Sequence, residues 1–331
     1  MLYAPLSLVW GWYIIRSRSV WFFTPSNPKL TFGGMEGEPK REMYDLLPSE
    51  LFPTTINILP SEPIEHVIEK INAKINMPFI VKPEIGGQGI LFRKIDTLAQ
   101  LREYHSKIPV EYIIQEMVLF STEVSIFYYR YPNETKGFVT GFLKKVPLQV
   151  IGDGKSTLFQ LILNKPKAIA RIDEIKKNHE ANFNLIPGKN EVYKFSHAAN
   201  HNRGAQFINL SDQIDEHLIS VFDKISLNIN DFFYGRYDVM CHSIEDLKKG
   251  INFSILEYNG CGAEPNHIYD SGYSLLNAYK EILKHWKVLY QISSINESRG
   301  NAYWGFKKGY SFLKNTKRYY QIMKDADAKI P

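Results

Sequence analysis

Two short β-prone runs, Tyr234-Gly-Arg-Tyr-Asp-Val-Met240 and Phe253-Ser-Ile-Leu-Glu-Tyr-Asn259, are separated by a polar insertion from Cys241 to Asn252. Along a strand, residues i and i+2 share a face. Arg236 and Asp238 therefore point one way on the first run, and Glu257 and Asn259 point one way on the second. Side by side, these strands would bring two carboxylates and an amide oxygen together. That oxygen set suits magnesium bridging phosphates, an ion that usually takes a few carboxylates plus phosphate oxygens. The plainer reading is a polar face on an exposed antiparallel pair. Context favours a site: Leu256 and Tyr258 are expected on the opposite face, and Gly260, Gly262 and Pro265 follow as a loop of the kind that borders active sites.

Working back along the chain, Lys40 to Leu47 reads as a short helix, and Ile64, Val67, Ile68, Ile71 and Ile75 mark the apolar face of a second one. Ser61 and Pro63 suit its start. Phe79 to Lys82 reads as a strand, Pro83 to Gly89 as a turn, and Ile90 to Phe92 as a further strand. Lys82 is thus followed by Gly86, Gly87 and Gly89, an ammonium beside approachable backbone N–H groups, which suits a polyphosphate. A glycine-rich hairpin with no ligand is the alternative. A helix near Thr97 to Ser106, a strand from Tyr112 to Gln115, and a hairpin of Val124 to Arg130 with Phe138 to Leu143 complete an α+β pattern that does not alternate as βαβ. Ile214, Leu218, Val221, Phe222 and Ile225 give one helical face in the second half.

Two constellations are less than they look. Gly152-Asp-Gly-Lys-Ser-Thr157 ends like a phosphate-binding P-loop, but the glycine that motif needs five positions earlier is Gln149 here. A structural turn capped by Asp153 or Ser156 is the expectation. His197, His201 and His217 lack a Cys or Glu partner at a telling spacing, so zinc is not expected there. Arg203-Gly204-Ala-Gln206 reads either as a substrate or phosphate loop or as an ordinary turn.

The totals fit one two-lobed unit or two domains: 331 residues, 44% hydrophobic, 14% aromatic. The charge of +5 is modest, with its excess near the C-terminus in Lys307, Lys308, Lys314, Lys317 and Arg318, and reads as a solvated face, not a nucleic-acid site. Cys241 and Cys261 have neither metal-site nor disulfide spacing, which favours a reducing, cytoplasmic compartment. The uncharged run Met1 to Ile15 is shorter than the ~20 residues that span a bilayer. It is expected to pack on the domain. The alternative is an interfacial membrane contact through residues 1–23, with Trp10, Trp12, Trp21, Phe22 and Phe23 at the headgroups. Thr24 to Pro28 with Gly33-Gly34 reads as a connector.

Taken together, Lys40, Lys82 with its glycine loop, Gln115 to Glu123, Lys145 to Gly154 and the Arg236/Asp238–Glu257/Asn259 pairs resemble the ATP-grasp superfamily. The resemblance is greatest to D-alanine:D-alanine ligase and, in one segment, to cyanophycin synthetase, and it covers about Lys40 to Tyr273. It implies an α+β fold in which two lobes clamp ATP between antiparallel sheets. It implies that Lys40, Lys82 and Gly86, Gly87 and Gly89 bind the nucleotide, that Glu116, Met117, Val118 and Leu119 hold adenine, and that Glu123 holds ribose. Lys145 and Arg236 become catalytic candidates, and Asp238, Glu257 and Asn259 ligands of Mg2+ or Mn2+. Arg203, Gly204, Gln206 and Gly262 are weaker substrate candidates. Lys145-Val-Pro147 leading to Val150-Ile-Gly-Asp-Gly154 matches the cyanophycin synthetase pattern and accounts for the P-loop lookalike. The implied activity is ATP-dependent amide formation between small carboxylate and amine substrates. The alternative is an ATP-binding regulatory or scaffold protein. Gln88 stands where D-alanine:D-alanine ligases carry a substrate-orienting serine, and only about 39 residues precede Lys40, so the family's N-terminal domain is expected to be reduced or absent and alanine dimerisation is not implied. The expected division is 1–38 as apolar segment and connector, 39–115 as small lobe, 116–290 as large lobe, and 291–331 as a basic aromatic tail without assigned chemistry.

Overall fold

A computed structural model describes residues 3–87, 89–195, 204–229, 231–269 and 272–330. Helix α1 (Ser7–Ser17) opens the chain, followed by α2 (Lys40–Tyr44), β1 (Thr55–Ile58), α3 (Ile64–Asn72), β2 (Phe79–Pro83), β3 (Arg93–Ile95), α4 (Leu98–Lys107) and β4 (Tyr112–Glu116). The four strands form one antiparallel sheet in the order β1-β4-β2-β3. Val67, Ile68 and Ile71 of α3 pack with Phe79, Val81 and Ile114 into its core. Thr97 starts α4 with a capping box to Gln100, which satisfies donors that every helix N-terminus leaves open. The strand expected at Ile90 to Phe92 is a turn, with Leu91 at φ 57, and pairing begins only at Arg93.

The second lobe runs β5 (Thr122–Tyr129), β6 (Phe138–Val146), β7 (Gln149–Ile151), α5 (Leu158–Leu163), α6 (Pro166–Ile169), α7 (Ile172–His179), β8 (Val192–Lys194), β9 (Gln206–Asn209), α8 (Glu216–Ile229), β10 (Tyr234–Cys241), α9 (Ile244–Lys249) and β11 (Phe253–Asn259). Its five-stranded sheet has the order β11-β10-β5-β6-β9, while β7 and β8 pair separately over α5 to α7 with their own small core. The α+β expectation with antiparallel sheets holds.

On β10 and β11, period-two alternation sorts the side chains. Tyr237, Val239, Cys241, Phe253, Ile255 and Tyr258 join the main core with Phe222 of α8, and Phe232 stacks on Tyr258 at 4.2 Å. This buried underside fixes the register, because a one-residue slip would turn every apolar side chain outward.

Helices α10 (Leu275–Ser298) and α11 (Phe306–Asp327) close the chain. The boundary placed at 290 falls inside α10, and the tail is not an appendage. Met323 and Ala326 of α11, with Ile330, enter the first lobe's core, and Asp327 accepts from the Leu91 amide at 2.8 Å while pairing with Arg93 at 3.0 Å. The segment read as a connector is buried too. Asn27 receives the Phe233 and Tyr234 amides and donates to the carbonyls of Gly33 and Tyr234, so its polar groups are met by backbone. One face of α1 packs on α10, with Trp10 against Trp286 and Tyr13 stacked on Tyr290, whereas Leu8, Trp12 and Ile15 lie exposed on the other face. No helix among the described residues is long and apolar enough to cross a membrane.

Candidate active site

The register of β10 with β11 sets Asp238 opposite Glu257 and Arg236 opposite Asn259. Directly opposite side chains on one face stand close enough to share a ligand, so the four polar residues form a square. A β-bulge follows between Asp238 and Val239, leaving Leu256 without a partner. This overturns the expectation that Leu256 turns away from the site. The extra residue kinks β11, and Leu256 lines the cleft with its carbonyl exposed to donors from the other lobe. Tyr44 Oη donates to that carbonyl at 2.8 Å, and Lys82 Nζ reaches it at 3.5 Å. Tyr258 is in the core as expected, although it also borders the cleft.

Asp238 is the electrostatic hub. It is buried, receives Ser125 Oγ at 3.0 Å, pairs with Lys145 at 2.8 Å, and takes both Arg236 Nε at 3.2 Å and Asn259 Nδ2 at 3.3 Å. Burial alone would raise its carboxyl, but Arg236 and Lys145 outweigh that and hold it well below the usual carboxylate range. Glu123, opposite Lys145 on β5 and β6 and 3.3 Å from its ammonium, moves the other way. Burial raises it more than Lys145 lowers it.

Across the cleft stand the lysines of the first lobe. Lys40, buried at the start of α2, donates to the Gly86 carbonyl at 3.0 Å and lies 3.9 Å from Glu257. Lys82 is half-buried, its bond to Tyr44 Oη is a long 3.4 Å, and among the described residues it has no carboxylate within ion-pair distance. Burial lowers its pKa. Its ammonium faces the cleft. Gly87 has open space where a side chain would begin, so an incoming group can approach its backbone.

These residues line one cleft of about 1190 Å³ between the lobes: Lys40, Lys82, Gly86, Gly87, Gly89, Glu123, Lys145, Arg236, Asp238, Glu257, Asn259 and Gly262. Glu116, Met117, Val118 and Leu119 are not among its lining residues, and Leu119 is 83% exposed. Strand β4 ends at Glu116, and Met117, Val118 and Leu119 follow it as the link to β5. Gly204 and Gln206 also lie off the cleft: Gly204 packs on Leu148, Gln206 pairs with Val146, and Phe207 is the β9 residue that faces in. Arg203, Gln88, His197 and His201 lie outside the described residues. Gly262 has a packing reason for its identity, since a Cβ there would come within 2.0 Å of the Met35 carbonyl.

Several lining residues carry no motif in the sequence. Glu36, Glu38 and Met35 come from the N-terminal segment, Glu264, Asn266 and Tyr269 from the turn after β11, and Lys317, Tyr320, Gln321 and Lys324 from α11. Burial, reinforced by Glu257 and opposed by a backbone hydrogen bond and Lys40, raises Glu38 to about 7. Lys317, Tyr320, Gln321 and Lys324 share one face of α11 at i, i+3, i+4 and i+7, a pattern that a solvated helix face shows equally.

No family model matches the chain, and no curated protein matches it. Solved structures similar to it include a bifunctional glutathione synthetase from Pasteurella multocida, at 15% identity and TM-score 0.40 over 74% of this chain and 36% of that one. A D-Ala:D-Ser ligase from Enterococcus faecalis shows 14% identity and TM-score 0.43 over 78% and 62%. A D-alanine–D-alanine ligase from Bacillus anthracis shows 13% identity and TM-score 0.44 over 82% and 72%. The chain thus spans well under half of the first of these proteins and somewhat under two thirds of the second.

Proposed function

We propose that this chain is an ATP-grasp carboxylate–amine ligase, ATP- and Mg2+-dependent and acting through an acyl phosphate. The observation that carries the reading is the in-register pairing of Asp238 with Glu257 and Arg236 with Asn259, facing Lys40, Lys82 and the glycine loop across one cleft. The donor chemistry fits a hard divalent cation: Asp238 stays ionised, and Glu257 and the Asn259 amide add oxygens beside it. Such an ion, when bound, offsets the polyphosphate charge. Accepting it requires the Asn259 amide to turn its oxygen inward and Asp238 to release part of its present hydrogen bonding.

In this mechanism a substrate carboxylate oxygen attacks the γ-phosphorus, and the bond to the β–γ bridging oxygen breaks to release ADP. The amine nitrogen then attacks the acyl carbon, phosphate departs, and the nitrogen loses a proton to give the amide. Lys40, Lys82, Lys145 and Arg236 stabilise charge on the transferring phosphoryl group. No protein nucleophile is needed. A cleft of about 1190 Å³ exceeds the usual 300–1,000 Å³ of a small-ligand pocket, which leaves room for a second substrate beside the nucleotide. Lys317 and Lys324 are suited to a substrate carboxylate, and Glu38 and Glu264 to its amine partner.

An ADP-release screen of the wild-type protein over amino acids, dipeptides and small carboxylates tests the reading. ADP release that requires a carboxylate and an amine together is the expected result. ATP binding with no substrate-dependent release would instead mark a regulatory nucleotide-binding protein.

A further inference from the structure

Beneath the turn that carries Glu264 and Asn266 into the cleft, two imidazoles meet a carboxylate. Glu281 and His285 lie four residues apart on α10 and therefore share a face, while His267 comes from the single helical turn Asn266–Ile268. His267 is 1% exposed, His285 2% and Glu281 17%. Both Nε2 atoms address the same oxygen, Glu281 Oε1, at 3.4 Å from His267 and 3.2 Å from His285. The ligand atoms of all three residues lie within 4.8 Å of one another.

Those spacings exceed the roughly 2.7–2.9 Å of hydrogen bonds between an imidazolium and a carboxylate. The two distances to Glu281 Oε1 are close to the edge of a coordination tetrahedron. Zinc bonds of about 2.0–2.1 Å place ligand atoms about 3.3–3.4 Å apart. The surroundings hold the rings in place. His285 Nδ1 faces Tyr234 Oη at 3.3 Å, the outer partner that a ligating histidine ordinarily has. Phe127 meets the same ring edge-on at 4.4 Å. The His267 ring sits on Gly141 of β6, where a Cβ would come within 2.3 Å of Nδ1, so this seat exists only because residue 141 is glycine. A separate, mainly apolar pocket of about 440 Å³, lined by Trp10, Tyr234, Pro265, Trp286 and His285, leads toward the cluster.

We propose that His267, Glu281 and His285 form a site for one divalent transition-metal ion of the zinc class, distinct from the oxygen-lined magnesium site at Asp238 and Glu257. Two imidazoles and one carboxylate select a late first-row ion, whereas an all-oxygen set selects magnesium. The ion clamps α10 to the turn Asn266–Ile268 and so fixes the wall of the cleft from which Glu264 and Asn266 project. Its binding does not depend on the ligase reading.

The test uses the full chain, stripped of metal with a chelator and titrated with Co2+ and Zn2+. The expected result is one equivalent per chain, visible d–d bands for Co2+ that Zn2+ abolishes, and no displacement by excess Mg2+. His285→Gln and Glu281→Gln, each near its parent in volume, are expected to lower Zn2+ affinity at least 10-fold while circular dichroism matches the wild type. Less than one tightly held equivalent in the wild type, displacement by Mg2+, or unchanged Zn2+ affinity in both folded variants would overturn the site.

Discussion

Gly86-Gly87 with Gly89, and Gly152 with Gly154, are two glycine-rich loops near a lysine in the same chain, and their surroundings differ. In the second loop, Asp153 Oδ1 accepts the Lys155 amide at 2.8 Å and the Ser156 amide at 2.7 Å, while Oδ2 takes the Ser156 hydroxyl at 2.7 Å. Those hydrogen bonds hold the Asp153 carboxyl down at about 2. Thr157 and Gln160 then close a capping box at the start of α5, so the donors a phosphate would need are already engaged by the protein. Lys155 is exposed on the β7–β8 unit, away from the cleft. In the first loop the glycines line the cleft, Gly87 meets open space, and Lys82 has no carboxylate partner among the described residues. Glycine content does not separate the two loops. What separates them is that an internal carboxylate, Asp153, caps the amides of the second loop.

Replacing each lysine breaks the comparison most sharply. Lys82→Ala removes a charge-assisted contact of about 1.5–3 kcal/mol, so ATP affinity falls roughly 10- to 150-fold. Lys155→Ala leaves it unchanged. Calorimetric titration of both variants reads this directly, and equal losses would make the two loops equivalent. Lys145 would be a poorer probe. It is buried between Asp238 and Glu123, and removing one member of such a cluster costs about 3–5 kcal/mol of stability as well.

The glycines sharpen the contrast in stability. A Cβ on Gly152 would stand 2.2 Å from the Gly188 carbonyl oxygen and 2.6 Å from that of Pro187. Gly152→Ala is therefore expected to lower the melting temperature by about 1–4 °C, corresponding to about 1–3 kcal/mol of overpacking. Gly87→Ala leaves the melting temperature of the nucleotide-free protein near wild type and weakens ATP binding instead. Thermal melts with and without ATP separate the two outcomes. The smallest effect belongs to Thr157→Ala, which removes the cap of α5 at a cost of about 1 kcal/mol with no change in ATP affinity. A loss of nucleotide binding in that variant would restore the second loop as a phosphate site.

The sequence carried the polar square on β10 and β11 and the lysine loop because strand alternation and glycine spacing are local properties. Arg236, Asp238, Glu257 and Asn259 needed only the assumption that their strands pair, and the apolar underside of Tyr237, Val239 and Ile255 enforces that register. The Leu256 bulge was not legible, since an extra residue in a strand leaves no mark in an alternating pattern until its partner strand is known. Nor were Glu38, Lys317 and Lys324, which reach the cleft through packing of the chain's two ends against the lobes. The adenine role of Glu116 to Leu119 rests on the family resemblance, and no contact in the structure bears on it. His267 escaped notice because Glu281 and His285, which it meets, lie 14 and 18 residues further along the chain, on a separate helix.

The most direct test of the central claim is ATP binding to the wild type and to Glu257→Gln, each with and without Mg2+. The wild type is predicted to bind ATP much more tightly with Mg2+ than without it. Glu257→Gln, which keeps the lysines and the glycine loop, is predicted to bind ATP alone as the wild type does and to lose the magnesium enhancement. The same enhancement in both proteins would contradict a metal site at Glu257 and Asp238.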